Sequence, residues 1–382
     1  AVATPITEGL IAHDNSVNSN DKALVYDSFV TMVLKEVQDK TGLDPYNDGL
    51  TIETTIDSKA QQRLYDIVNT NDYIQYVNDK IQNAVVMLDT KTGAVRAVNG
   101  GRKQTTLLGY NRVTDNSRST GSTIKPVIDY GPAIEYLNYS TGQTIMDKRT
   151  TYSNGVELNN WDFSHKGAMT LRTALVYSRN TTALQTFKAV GETNIKSFLN
   201  NLDIQIKNDG QDYLVESNSI GADISPIKMA AAYATFGNYG TYSKPYTVTK
   251  VTTRDGQVTE FKPEQKQAMK DSTAYMITDV LKDSFKYGFA TQASIPGLPT
   301  AAKTGSSNYT VEQKRAMGAG DYDDIIPDSW FIGYSTDYTI SAWTGYDNPY
   351  EKGGGVDTTE QEYSRLIYYY LMKYMAESSS GD

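Results

Sequence analysis

The strongest β-forming runs of this sequence lie toward its two ends, and most of its helical patterning lies between them. Residues 83–89 and 94–98 are apolar, β-branched runs joined by Thr90-Lys91-Thr92-Gly93, which reads as a hairpin turn. Residues 299–306 and 330–346 supply the later strands, the second folding back at Ser335-Thr336-Asp337. Helical spacing marks 122–137, 168–190, 193–201, 226–236 and 272–286, with a final helix over 360–374. Such an order constrains the chain to an α+β fold. It predicts an antiparallel β-sheet whose first and last strands meet, flanked by helices, with an additional helical subdomain.

Ahead of these runs, residues 1–22 read as loop, from Thr4-Pro5 through the Asn/Asp/Ser stretch 14–21. Phe29, Met32, Val33 and Val37 recur at helical spacing within 26–42, and Lys40-Thr41-Gly42 closes that helix. A turn over 44–49 leads into an alternating strand, 50–56, after which Asp57 or Ser58 caps a helix through Leu64, Tyr65 and Ile67. A short β pair is expected near 246–261 and a solvated tail over 376–382. No window of 18 apolar residues occurs and residue 1 begins no charged-then-apolar leader, so the sequence as given reads as neither spanning a membrane nor carrying a signal peptide.

Composition removes several kinds of chemistry. Lys plus Arg is 36 against 45 for Asp plus Glu, a net charge of −9 with no basic run, which argues against a nucleic-acid partner. With no cysteine there is no thiolate metal site, disulfide or cysteine nucleophile, and two histidines cannot build a three-histidine metal centre. Neither His13, in a loop-like stretch, nor His165 lies near a G-x-S-x-G turn, so a Ser-His-Asp hydrolase is disfavoured and both read as solvated or structural.

A serine can instead be activated by a lysine three residues on, because positions i and i+3 share a helical face and a neutral amine can take the hydroxyl proton. S-x-x-K occurs at Ser19, Ser122 and Ser225; S-x-N at Ser16, Ser178 and Ser306; K-T-G at Lys40, Lys91 and Lys303. In serine enzymes that recognise penicillin, these elements stand in the order S-x-x-K, S-x-N, K-T-G and complete one site. Ser16 has no S-x-x-K before it, Ser306 has no K-T-G after it, and Lys40 and Lys91 precede Ser178. Ser178 and Lys303 remain, and Ser178-Arg179-Asn180 ends the helical stretch 169–176, where a loop can face a cleft. Ser19 sits in the Asn-rich stretch and Ser225 reads as an N-cap before Pro226, which leaves Ser122 as nucleophile and Lys125 as its base. The plain alternatives are an N-cap serine at Ser122, a helix C-cap with a left-handed Asn180, and a strand ending at Gly305.

Gly121-Ser122-Thr123-Ile124-Lys125-Pro126, Asn160-Trp161, Thr170-Leu171-Arg172-Thr173-Ala174-Leu175, Met229-Ala230-Ala231-Ala232-Tyr233, Ala302-Lys303-Thr304-Gly305 and Trp330-Phe331-Ile332-Gly333-Tyr334 together resemble the transpeptidase domain of class A penicillin-binding proteins. The resemblance covers about residues 50–375, and residues 3–10 resemble the linker that follows a glycosyltransferase domain. It implies an interdomain linker region over 1–48, a transpeptidase domain over 49–376 and a flexible tail over 377–382. It also implies an upstream glycosyltransferase, a membrane anchor N-terminal to this sequence, and a place on the extracytoplasmic face of a bacterial membrane, with no cofactor or metal.

The implied reaction is attack by Ser122 on the penultimate D-alanine of a peptidoglycan stem ending D-Ala-D-Ala, followed by cross-linking to a neighbouring stem. Lys125 is the implied base, its pKa depressed by Lys303 and partial burial. Ser178 relays the proton, Asn180 holds the substrate amide and the Lys125 amine, and the N–H groups of Ser122 and Ser306 form an oxyanion hole. Thr304, Gly305, Ser306 and Trp161 are expected to bind substrate, and β-lactams to acylate Ser122. The alternatives are a D,D-carboxypeptidase, a β-lactamase, for which Glu157-Leu158-Asn159 stands on the wrong side of Ser178, and a receptor that is acylated without turnover.

Overall fold

The structure, a computed structural model, describes residues 17–379. Its elements relevant to the site are α1 (Val17–Thr41), α2 (Ser58–Asn69), β1 (Gln82–Asp89), β2 (Val95–Asn99), α3 (Leu171–Val176), α4 (Asn180–Val190), α5 (Pro226–Gly237), α6 (Asp271–Lys282), β3 (Ala301–Ser306), β4 (Asp328–Tyr334), β5 (Tyr338–Gly345) and α7 (Tyr363–Ser379). The central sheet has five antiparallel strands in the order β3-β4-β5-β1-β2. As the sequence order predicts, an early strand meets a late one, with Asp89 opposite Tyr338 and Gln82 opposite Gly345.

Alternation along β1 explains why that run is apolar throughout. Ala84, Val86 and Leu88 face one core and Val85 and Met87 the other. On the second side lie α2 and α7, through Leu64, Ile67, Ile367, Tyr368 and Leu371. On the first, α5 and a helical subdomain bury Val127, Leu171, Phe198 and Tyr233 together with Trp330 and Trp343. This leaves β3 as an edge strand beside the helical subdomain, and the site forms along that seam.

Several elements differ from the sequence reading. The first helix begins at Val17, so the backbone of Ser19 is helical and not loop; the rest of the stretch expected as loop, residues 1–16, lies outside the described residues, as does His13. This helix is tied to the domain body: Ser28 Oγ accepts from Gly100 N–H, and Glu36 accepts from the N–H groups of Thr247 and Val248. The expected strand 50–56 is the shorter Thr51–Thr54, which joins Val248–Thr252 and Val258–Glu260 in a three-stranded sheet. The tail expected from residue 376 is helical as far as Ser379. A short helix, Val311–Ala316, was not expected, although its Thr310 and Gln313 form a capping box readable as T-x-x-Q.

Two interruptions bear on the site. The pattern over 122–137 is a 3₁₀ turn at Gly121–Ile124, a π-helical turn at Pro126–Tyr130 in which Gly131 N–H bonds Pro126 O, and an α-helix only from Gly131. The pattern over 168–190 is a strand, Gly167–Thr170, then α3, then a break, then α4. At the break Ser178 adopts a left-handed conformation, φ 53°, and Asn180 is the first residue of α4; the left-handed C-cap considered for Asn180 falls two residues earlier.

Candidate active site

The Ser122 turn is anchored from both sides of the seam. Arg118 donates to Tyr346 O, Trp330 Nε1 on β4 donates to Ser119 O at 2.8 Å, and Thr120 N–H bonds Ala222 O. From α5, Tyr233 donates its hydroxyl proton to Thr123 O at 2.6 Å. Gly121, φ 51°, lies so close to β3 that a Cβ there would stand 2.2 Å from Ser306 O, and a Cβ on Gly305 would stand 2.6 Å from Thr123 N. Neither position admits a side chain. The backbones of Ser122 and Ser306, the expected oxyanion-hole pair, are thereby neighbours.

Ser122 is partly exposed in a cleft of about 850 Å³, whose lining includes Ser178, Asn180, Thr304, Gly305, Ser306 and Trp161. Lys125 is wholly buried behind it, donating to Ser178 O (2.9 Å), Ser178 Oγ (3.1 Å) and Asn180 Oδ1 (2.7 Å). From β3, buried Lys303 donates to Ser178 Oγ at 2.9 Å and to Thr304 O at 2.8 Å. The Ser178 hydroxyl thus stands between two amines. It can accept from one and donate to the other once that amine carries a lone pair.

Burial holds the Lys125 amine well below the usual lysine range, and the Lys303 charge pushes the same way. The sequence reading named the neighbouring cation first and burial as partial; burial is complete and is the larger cause. Burial alone pushes Lys303 down to about 7.

The left-handed turn at Ser178 is held by a network that sequence reasoning missed. Asp147 Oδ1 accepts from Asn160 Nδ2 (2.8 Å) and Thr181 Oγ1 (2.6 Å), while Oδ2 accepts from Lys166 N–H (2.8 Å) and Arg179 Nε (3.0 Å). Asn160 Oδ1 in turn accepts the N–H groups of Asn180 and Thr181. Burial raises the Asp147 carboxyl, but these hydrogen bonds and the Arg179 charge outweigh it and leave it below the usual carboxylate range. No local sequence signal links Asp147 to a turn some thirty residues away.

Trp161 is half exposed at the cleft wall, donates Nε1–H to Tyr177 O at 2.9 Å and meets Phe289 edge to face at 5.4 Å. His165 lies outside the cleft lining, with Nδ1 3.8 Å from Asp147 Oδ1. Glu157 is exposed and paired with Arg149 at 2.9 Å, away from the cleft. Lys40-Thr41-Gly42 ends α1 and Lys91-Thr92-Gly93 turns between β1 and β2, as read from the sequence. Ser225 is at the N-cap of α5, without a side-chain cap bond.

An antiparallel sheet with a lysine-bearing edge strand beside a Ser-x-x-Lys turn has the framework of the serine–lysine acyl-transfer class. Residues 83–368 match the family model of the penicillin-binding protein transpeptidase domain. The chain is 38% identical over 361 residues to penicillin-binding protein 1A/1B of Bacillus subtilis, covering 93% of this chain and 39% of that protein. It is 37% identical over 394 residues to penicillin-binding protein 1A of Streptococcus pneumoniae, covering 100% and 53%. It superimposes on PonA1 from Mycobacterium tuberculosis with a TM-score of 0.76 at 22% identity over 91% and 90% of the two chains, and on PonA1 in complex with penicillin V with 0.77. The chain belongs to the penicillin-binding protein transpeptidase family. It spans about two-fifths to one-half of the length of these two curated relatives.

Proposed function

We propose that this domain is a D,D-transpeptidase that cross-links peptidoglycan stems through an acyl-enzyme on Ser122 and is inhibited by β-lactams through the same serine. The observation that carries this reading is the position of Ser178 Oγ between Lys125 Nζ and Lys303 Nζ, in a buried pocket that opens at Ser122. Lys125, as free amine, takes the Ser122 proton while the serine oxygen bonds the carbonyl carbon of the penultimate D-alanine. Ser178 passes that proton to the departing D-alanine nitrogen, and Lys303 keeps the Ser178 hydroxyl oriented. Asn180 fixes the Lys125 amine through Oδ1 and presents its amide to the stem.

The N–H groups of Ser122 and Ser306 receive the developing oxyanion, a contribution of roughly 10²–10³ in rate per donor. Thr304 and Ser306 bind the terminal carboxylate, Gly305 lets the stem lie against β3, and Trp161 with Phe289 packs against its apolar part. Peptidoglycan synthesis places the domain on the extracytoplasmic face of a bacterial membrane, with stem peptides and β-lactams as ligands and, in a longer chain, an anchor and a glycosyltransferase domain upstream. The outward pairing of Glu157 with Arg149 speaks against a β-lactamase built on that residue.

Intact-mass measurement with penicillin tests the reading. A single adduct that persists for hours and is absent from Ser122→Ala is expected. Rapid regeneration of free protein would make the domain a β-lactamase, and failure to turn over a D-Ala-D-Ala thioester with an acceptor amine would make it a receptor.

A further inference from the structure

Asp129 lies four residues beyond Lys125 on the π-helical turn Pro126–Tyr130, is wholly buried, and neither of its carboxyl oxygens has a hydrogen-bond partner among the described residues. Nothing in the acylation chemistry uses it. An ionised carboxylate without a donor in such surroundings carries a desolvation cost that ordinarily forces it to neutralise. Meanwhile Lys125 aims its amine at Ser178 and Asn180, and no hydrogen bond joins it to Asp129.

We propose that Asp129 is a positioning residue held as the un-ionised acid, and that its neutrality keeps Lys125 a free amine able to take the Ser122 proton. The inference rests on the proposed role of Lys125 as base. Moving the Asp129 proton onto Lys125 would create an ion pair with the same number of protons, so burial and contacts select between the two forms, not solution pH. The Asp129 side decides between them: its carboxylate would have no donor among the described residues, whereas Lys125 as free amine keeps two N–H donors for Ser178 O and Asn180 Oδ1 and accepts from Ser178 Oγ through its lone pair.

The charges bearing on Lys125 from other elements are Lys303 of β3 and Arg179 at the head of α4, both of which oppose an ammonium. Lys125 is the charged neighbour bearing on Asp129, whose own carboxyl is raised well above the usual range by burial. Tyr130 on the same turn is engaged with Thr182 Oγ1, and Lys188 and Lys196 on the neighbouring helices are turned into ion pairs with Glu216 and Glu192. During acylation the Ser122 O–H bond breaks, its proton joins the Nζ lone pair as the Ser122 O–C bond forms, and the proton leaves through Ser178 to the nitrogen as the C–N bond breaks. Asp129 neither gives nor takes a proton; an ionised Asp129 would hold Lys125 as an ammonium and stop the first transfer.

Isotope-edited infrared spectroscopy of the ligand-free wild-type domain, labelled at aspartate carboxyls, tests this near neutral pH, where exposed carboxylates are ionised. An un-ionised acid carbonyl band is expected that disappears in Asp129→Asn, or in Asp129→Leu if the first variant does not fold. Absence of the band from wild type, or its persistence in the variant, overturns the proposal. The acidic limb of penicillin acylation in Asp129→Asn provides a second readout and is expected at the wild-type pH. A shift of about one unit to lower pH would show that an anion had been removed and would equally overturn it. Loss of the acylation reading itself would appear separately, as labelling that survives Ser122→Ala, and would leave the infrared band untouched.

Discussion

Lys125 Nζ donates to Ser178 Oγ at 3.1 Å although 53 positions separate the two residues in the chain. Lys303 reaches the same oxygen from 125 positions further on. Three sequence segments therefore converge on one hydroxyl, and the site's chemistry depends on how firmly that convergence is held.

Replacing Lys303 by alanine removes the second amine at Ser178 Oγ. The second-order rate of acylation by a fluorescent penicillin is expected to fall by about 10²-fold or more, in the range of a lost proton-transfer partner. Stopped-flow labelling checks this, and an unchanged rate would place Lys303 outside the reaction.

Lys303 also has a stability signature. Its folded pKa of about 7 is below the unfolded lysine value near 10.4, so the unfolded chain binds more protons between those values and folding stability rises with pH across that window. Lys303→Met is therefore expected to raise Tm near pH 7, with the gain shrinking as the pH approaches 10. Calorimetry across this range checks the sign.

Gly121→Ala would place a Cβ 2.2 Å from Ser306 O at a left-handed position. Strain and displacement of β3 together are expected to cost about 2–3 kcal/mol, and the displacement to abolish penicillin labelling. Denaturant unfolding and labelling of the folded fraction separate the two effects.

Asp147→Asn leaves buried Arg179 with Asp162 as its remaining carboxylate partner and is expected to destabilise the domain by about 3 kcal/mol. Because the Asp147 carboxyl is held below its usual value, its stabilisation is present above the ordinary aspartate range near 3.9 and is lost as pH falls through the depressed value. Acid unfolding followed by circular dichroism should therefore show a weaker acid-dependent loss in the variant.

The legible parts of this protein were those whose cause is local or ordered along the chain. β1 reads as a strand because both of its faces are buried, and Ser122, Ser178 and Lys303 are separable from their decoys by chain order. The break before α4 was legible as the end of the helical stretch at Ser178-Arg179-Asn180, but the left-handed Ser178 was not, since the Asp147–Arg179 network that holds the turn reaches it from some thirty residues away. The buried acids Asp129 and Asp147 were missed for a related reason: an aspartate in a single sequence reads as surface until the fold supplies its surroundings. The π-helical turn that carries Asp129 likewise has Pro126 as its one local signal.

The most direct test of the account is the pH dependence of Ser122 acylation by penicillin. A base kept neutral by burial predicts a rate that is already high at neutral pH and falls only on acidification. A rate that keeps climbing toward pH 10, as an ordinary lysine would require, would contradict it.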